Sequence, residues 1–205
     1  MHAWRALCLV LALSGADGAF AYKPDPDKVL RWAFEVAETG FDPAQTSDWY
    51  SAYAFTNIFD TPLTYDFLAR PLKLKPNVLE AMPEVTDNGT VYTLRFRKGI
   101  YFADDPAFGG SKRELVAADL AYTIKRLFDV KTKSPNLHYI DGTIAGMETL
   151  KQKQREAGKF DYDLPVEGFQ LIDRYTLRIK LTKSDYNFLY QLASSNVSAL
   201  VAREV

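Results

Sequence analysis

The stretch from Asp87 to Phe128, DNGTVYTLRFRKGIYFADDPAFGGSKRELVAADLAYTIKRLF, constrains the fold of this chain more than any other, because three local signals follow one another in it in a fixed order. Asp87-Asn88-Gly89 is hairpin-turn chemistry. It leads into a period-2 segment in which Tyr92, Leu94 and Phe96 share one side and Val91, Thr93, Arg95 and Arg97 the other. That pattern predicts a strand with one buried and one wetter face. Lys98-Gly99 then turns the chain into a second apolar segment, Ile100-Tyr101-Phe102. A helix follows over 117–128, where Leu120, Ile124, Leu127 and Phe128 recur at helical spacing and form one apolar stripe. Asp119 in its first turn and Lys125 and Arg126 near its end complement the helix dipole. Val116 stands at the N-cap, where Ser, Thr, Asp or Asn would be preferred, so the helix start is weakly capped.

The remaining segments mix strands and helices. Tyr22 to Lys28 is a Pro- and Asp-rich extended leader, and Val29 to Phe34 reads as a short first strand. Glu35 to Asp48 is a loop containing Phe41-Asp42-Pro43-Ala44. Trp49 to Phe59 is aromatic and apolar at helical spacing, and Asp60 to Tyr65 breaks into a strand. Beyond the central helix, Asp129 to Asn136 is polar, with Ser134-Pro135. Ile144 to Arg155 reads as a second helix whose basic continuation is a solvated face. Phe169 to Leu181 is a hairpin turning at Asp173-Arg174, with Leu177, Ile179 and Leu181 alternating against Arg178 and Lys180. Tyr186 to Leu192 is a short helix, and Ala199 to Val205 starts another strand. There is no internal repeat and no low-complexity tract.

Residues 1–21 carry an export pattern. Arg5 supplies a basic start, Ala6 to Leu13 (ALCLVLAL) an apolar run, and Ala19-Phe20-Ala21 a small-x-small cleavage site. This is a secretory signal peptide, too short to span a membrane. The single cysteine, Cys8, lies inside the apolar run without a lipobox around it, so no lipid anchor is expected. Cleavage after Ala21 leaves a chain without disulfides, which suits a bacterial periplasm better than a small stapled secreted domain. The net charge of −1 suggests neither nucleic acid nor an anionic membrane surface as a partner.

Catalytic chemistry is poorly supplied. Beyond the leader the only histidine is His138, flanked by Leu137 and Tyr139. That argues against Ser-His and Cys-His nucleophiles and against ordinary zinc sites, so no catalytic residue, metal or cofactor is expected. Asp104-Asp105 is a candidate carboxylate pair for glycoside chemistry, but adjacent residues in a loop point apart more often than together. Gly109-Gly110 lacks the flanking pattern of a phosphate loop and reads as a turn. Asn88-Gly89-Thr90 and Asn196-Val197-Ser198 match the glycosylation acceptor, the first being better explained as turn chemistry.

The collinear order of strand, Arg97-Lys98-Gly99, aromatic segment, acidic loop and a helix running from Ala117-Ala118-Asp119 to Lys125-Arg126-Leu127 resembles the bacterial extracellular solute-binding proteins of family 5, which serve peptide and oligopeptide ABC importers. Phe41-Asp42-Pro43-Ala44 resembles the family's LDP element, Asp60 to Tyr65 its YDTL segment, and Pro76 to Ala81 its P-x-L-A element. The chain departs from the family at Val116, where Thr is usual, and at Asn136, which follows Ser134-Pro135 where an aromatic often stands. The resemblance implies an α+β, periplasmic-binding-protein type II-like fold: the N-terminal part of two lobes closing over a ligand, with a largely complete smaller lobe. Residues 22–59 would begin the larger lobe, 60–201 form the smaller α/β lobe, and 202–205 return towards the larger one in a longer protein.

The same resemblance implies a monomeric periplasmic receptor, not an enzyme, that delivers peptides to permease subunits in the inner membrane. It places ligand contacts at Ser47, Asp48 and Trp49, after the Asp-Pro element, and at Asn136. Trp49, Tyr50 and Tyr53 could wall a tolerant cleft, because aromatics offer area without demanding one hydrogen-bond pattern. Equally, Trp49 and Tyr53 could be core residues of their helix. The alternatives are a binding protein for another solute (an oligosaccharide, a nickel complex or an opine), a secreted hydrolase, or a chaperone-like binder of unfolded chains.

Overall fold

The Asp87–Gly89 turn sets the register of the sheet on which the rest of the fold is built. Asp87 and Asn88 take left-handed φ values of 51° and 53°, and Gly89 follows at 82°. Asp and Asn tolerate that region better than other side chains, and Gly is indifferent to it. The turn joins β3 (Glu84–Thr86) to β4 (Val91–Arg95). A second hairpin joins β5 (Phe169–Asp173) to β6 (Thr176–Lys180), and β6 pairs antiparallel with β4. The strand order is therefore β3-β4-β6-β5. Leu94 lies opposite Leu177 and Tyr92 opposite Ile179, so the two alternating patterns meet on one face.

The structure, a computed structural model, describes residues 27–29 and 31–205. The expected export signal at 1–21 lies outside the described residues. The chain divides into two units, 1–35 and 36–205. In the first, the strand expected over 29–34 is absent from the described residues, which form no regular element and leave Trp32 exposed. An extended segment becomes a strand only when a neighbour takes up its N–H and C=O groups.

The second unit opens with α1 (Trp49–Ile58) and a two-stranded hairpin, β1 (Leu63–Tyr65) with β2 (Leu74–Pro76). After β4, the segment over 100–102 makes a single bridge, Tyr101 to Glu114. Next come α2 (Ala117–Phe128) and α3 (Met147–Ala157), then the second hairpin, and the short α4 (Phe188–Gln191) and α5 (Ser195–Ser198). Leu94, Phe96, Leu120, Ile124, Leu177, Ile179 and Phe188 form the fully buried centre of one core. Burying each such side chain contributes about 1.5–3 kcal/mol. Among the described residues no helix is long and apolar enough to cross a membrane.

Several local expectations are corrected. The expected wetter face of β4 is wet only towards its end: Arg95 and Arg97 are exposed, but Val91 and Thr93 are buried along with Tyr92 and Leu94. Thr93 lies between Glu84 and Arg178 on the neighbouring strands, and a central strand shelters small side chains beneath longer neighbours. The second hairpin turns at Arg174-Tyr175 rather than Asp173-Arg174, because Asp173 pairs with Thr176 and its carboxylate accepts the Tyr175 N–H at 2.7 Å. The second helix starts at Met147 rather than Ile144. Ile144 bridges Leu181, and Gly146 takes a left-handed φ of 81°. Ala199–Val205 forms no strand; its backbone is held singly, by Leu200 N–H on the Asp60 carbonyl and Val201 N–H on Thr123 Oγ1.

The helix α2 covers 117–128 as expected, but it is buried almost all round rather than along one stripe. One side packs on β5, β6 and α5. Chain segments wrap the other. Lys125 Nζ donates to the carbonyls of Tyr162 and Leu164 at 2.8 and 2.9 Å, Arg126 grips Asp42, and Thr123 accepts from Val201. The weak cap is repaired from within: Asp119 Oδ2 accepts the Val116 N–H at 2.8 Å, while the same carboxylate holds Arg113 in a two-pronged ion pair at 2.6 and 3.1 Å. The charged groups of this helix thus enter the core with partners, as burial requires.

Candidate functional site

The loop carrying Phe41-Asp42-Pro43-Ala44 is fixed at both ends by side chains from distant parts of the chain. Asp42 begins it with a local turn, its Oδ1 accepting the Ala44 N–H at 3.0 Å. Arg126 on α2 clamps the same carboxylate with both terminal nitrogens, Nη1 to Oδ1 at 3.0 Å and Nη2 to Oδ2 at 2.6 Å. Burial alone would lower the Arg126 pKa; the hydrogen bonds and charge of Asp42 outweigh it and hold the guanidinium above its ordinary value. Asn136 fastens the far end of the loop. Its Nδ2 donates to the carbonyls of Pro43 at 3.0 Å and Thr46 at 2.7 Å.

Asp48 then starts α1. Its Oδ1 accepts the Ser51 N–H at 2.8 Å and its Oδ2 the Thr39 hydroxyl at 2.5 Å. The hydrogen bonds from Ser51, side chain and backbone, and from Thr39 pull its pKa from 3.8 down to about 2. A charged carboxylate at an N-cap also favours the positive end of the helix dipole. Next to this cap, Ser47 is exposed and Trp49 stands out with 70% of its surface free. The Trp49 ring meets Tyr53 edge-on at 5.2 Å, one helical turn along. Among the described residues both rings lie on the surface rather than in the core.

Asn136 has a different placement from a surface contact. It is fully buried, and its amide donors are committed to the loop. The structure therefore brings Ser47, Asp48 and Trp49 together and sets Asn136 behind them, connected through the backbone of residues 43–46. Arg126 is the member of the arrangement that sequence reasoning missed, having been assigned only to the helix dipole. Its pairing with Asp42 spans most of a hundred residues, so no local spacing signals it. The one available hint is Tyr122, one turn earlier on the same side of α2, which with Arg126 lines the adjoining cleft.

That cleft encloses about 450 Å³ between the 41–43 loop, the end of α1 (Ile58, Phe59), the 100–108 segment and residues 200–205. Phe41, Phe59, Tyr101, Phe102, Phe108 and Tyr122 stand in its walls, with the carboxylates of Asp60, Asp104 and Asp105 among them. Ser47, Asp48 and Trp49 are not among its lining residues. Asp104 and Asp105 do not converge as a catalytic pair: Asp105 Oδ1 accepts the Ala107 N–H at 2.8 Å and caps a single 3₁₀ turn over Pro106–Phe108. A second hollow of about 720 Å³ lies across α2, beside Lys125, Arg113, Asp163 and Arg203. Its charges are already spent on one another, Arg113 on Asp119 and Glu204 and Arg203 on Asp163. The first cleft, next to the fixed loop, is the better candidate. Among the described residues no cluster of His, Cys, Asp or Glu is placed to hold a metal ion.

The chain resembles peptide-binding proteins in sequence and in fold. It is 29% identical over 197 residues to the di/tripeptide-binding protein 2 of Pseudomonas aeruginosa, matching 95% of this chain and 33% of that protein. To the peptide transport periplasmic protein SapA of Salmonella typhimurium it is 27% identical over 169 residues, covering 79% of this chain and 27% of the relative. The chain thus spans about a third of the length of the curated relatives it matches. Among solved structures, it superposes with a TM-score of 0.60 on the periplasmic binding protein DppA of Helicobacter pylori in complex with the peptide STSA, at 22% identity over 80% of this chain and 29% of that one. Haemophilus influenzae OppA in complex with RPPGFSPFR gives 0.59 at 21% identity, over 78% and 28% of the two chains. These likenesses show a mixed α/β arrangement that matches part of the peptide-binding structures. Residues 73–202, from the end of the first hairpin to past α5, match the family model itself, and the chain belongs to the bacterial extracellular solute-binding proteins, family 5 (Middle).

Proposed function

We propose that this chain supplies part of the solute-binding component of an ABC importer, which captures short peptides in the periplasm and delivers them to a membrane permease. The family is one of solute-binding proteins rather than enzymes, and the relatives are named for peptides. The observation that carries the reading is the 41–49 segment: a loop pinned from below by Arg126 and Asn136, with an exposed aromatic pair at its end. A peptide is held by main-chain hydrogen bonds, and side-chain tolerance requires a wall with area but little directional demand. Ser47 and the backbone through Trp49 supply the first and the Trp49 and Tyr53 rings the second. Asp48 is the element's cap, and Asn136 a positioning residue acting through residues 43–46.

In this reading residues 1–21 direct export, 22–59 begin a larger lobe, 60–201 form a smaller one, and 202–205 lead back. Two lobes close over ligand by hinge motion, and the closed form engages the permease. The chain acts as a monomer without nucleic acid. Mass spectrometry of small molecules that co-purify with the protein from its own cells tests the assignment. Short peptides are expected; an oligosaccharide, a nickel complex or an opine would overturn it. Titration calorimetry of the 205-residue chain against a mixed short-peptide pool tests the two-lobe mechanism. Weak or no binding is expected, because a cleft needs both walls, and saturable micromolar binding would refute that part.

A further inference from the structure

The tip of the β1–β2 hairpin combines exposed apolar side chains with unpaired cations. Past the Asp66 N–H to Lys73 carbonyl hydrogen bond of 2.8 Å, the loop is ordered by its own bonds. Asp66 Oδ1 accepts the Leu68 N–H at 3.2 Å, and Arg70 Nη1 donates to the carbonyls of Phe67 and Ala69 at 3.1 and 2.8 Å. This ordering turns Phe67 and Leu68 outwards, each 84% exposed, with Leu72 also exposed on the returning arm. At the base, Tyr65 and Tyr190 stack at 6.4 Å, both partly exposed. Arg70, Lys73 and Lys75 lie on the same hairpin against one carboxylate, Asp66, which the loop itself uses. Among the described residues none of the three cations forms an ion pair.

We propose that this hairpin tip docks on an anionic phospholipid surface, Phe67, Leu68 and Leu72 entering the interface while Arg70, Lys73 and Lys75 meet the headgroups. The chain's overall charge is −1, so the attraction is local to the tip. Adjacent apolar side chains rimmed by cations, with tyrosines one layer behind, have the order of the interface itself: acyl boundary, then charge and amphipathic rings. A site for a protein partner would instead favour an apolar patch with charge depleted from its centre. The proposal is independent of which solute the protein captures.

The test places an environment-sensitive fluorophore at the tip by Ala69→Cys in a Cys8→Ser background of the whole chain. Vesicles of phosphatidylcholine with one-third phosphatidylglycerol are titrated in at low salt. A blue shift, quenching by lipid-borne spin labels, and reversal by salt are expected. Lys73→Glu with Lys75→Glu should weaken binding by more than about fivefold per cation, and Phe67→Ser with Leu68→Ser by on the order of tenfold. Circular dichroism checks that both variants remain folded. An unshifted tip probe, equal response to pure phosphatidylcholine, or vesicle binding unchanged in both variants would overturn the proposal. So would photo-crosslinking from position 69 in cells that captures a protein and no lipid.

Discussion

At the scale of single residues, the candidate site separates side chains that hold the loop from those that face outwards. Trp49 is mostly exposed, so Trp49→Ala should change stability by no more than about 0.5 kcal/mol. Asn136→Ala should cost about 1–3 kcal/mol, since it leaves the Pro43 and Thr46 carbonyls without donors. Thermal melts of the two variants check this contrast. A Trp49 variant that melts far below the parent would return that ring to the core. Asp48 makes a pH prediction. Its folded-state pKa is depressed to about 2, so its contribution is fully present above about pH 4 and is lost as pH falls through 2. NMR titration of its side-chain carboxyl should show no protonation until near pH 2, and a midpoint near 3.8 would show that the cap does not form. The aromatic run at 49–53 was legible as a candidate site; the burial of Asn136 was not. An Asn after Ser-Pro looks the same in sequence whether it faces a ligand or two carbonyls from a loop ninety residues earlier.

At the scale of elements, hydrophobic period identified the strands and helices that have partners. The Leu177, Ile179, Leu181 alternation and the Leu120, Ile124, Leu127, Phe128 stripe both fall in the core where expected. Period failed where the partner decides. Val29–Phe34 and Ala199–Val205 have strand-like composition, yet no described neighbour pairs with them as a strand. It failed on α2 as well, because Lys125 and Arg126 resemble a solvated end until the segments that cover them are in place. A less visible constraint sits where α3, β5 and β6 converge. Gly168 N–H donates to the Ala145 carbonyl at 2.8 Å, and a Cβ there would lie 2.4 Å from Ile144 Cγ2 and 2.6 Å from the Ala145 oxygen. Backbone atoms cannot yield as a side-chain end would, so Gly168→Ala should destabilise by about 1–3 kcal/mol. Urea unfolding of the variant checks it, and an unchanged midpoint would mean that the strand start shifts freely.

At the scale of the whole molecule, the described fold is held by contacts between distant parts of the chain. Val91 pairs with Lys180, Arg126 with Asp42, Asn136 with Pro43, and Arg113 with Glu204. Residues 41–59 are thereby tied to the later elements, while 31–35 belong to the other unit, form no regular element and are exposed. Limited trypsin digestion should therefore cut first after Arg31, giving a product that begins at Trp32 and keeps residues 36–205 intact; early loss of 36–59 would contradict the clamps. By itself the sequence determined the mixed α and β class, the central hairpin-and-helix order and the family resemblance, because these rest on short-range period, turn chemistry and collinear motifs. Only the tertiary structure decided that Val91 and Thr93 of β4 are buried, that α2 is wrapped, that Asn136 holds the loop from within, and that Arg126 clamps it from the wall of the cleft. Those outcomes depend on which polar groups find partners across long chain separations, and a buried charge or amide is tolerated only where such a partner arrives.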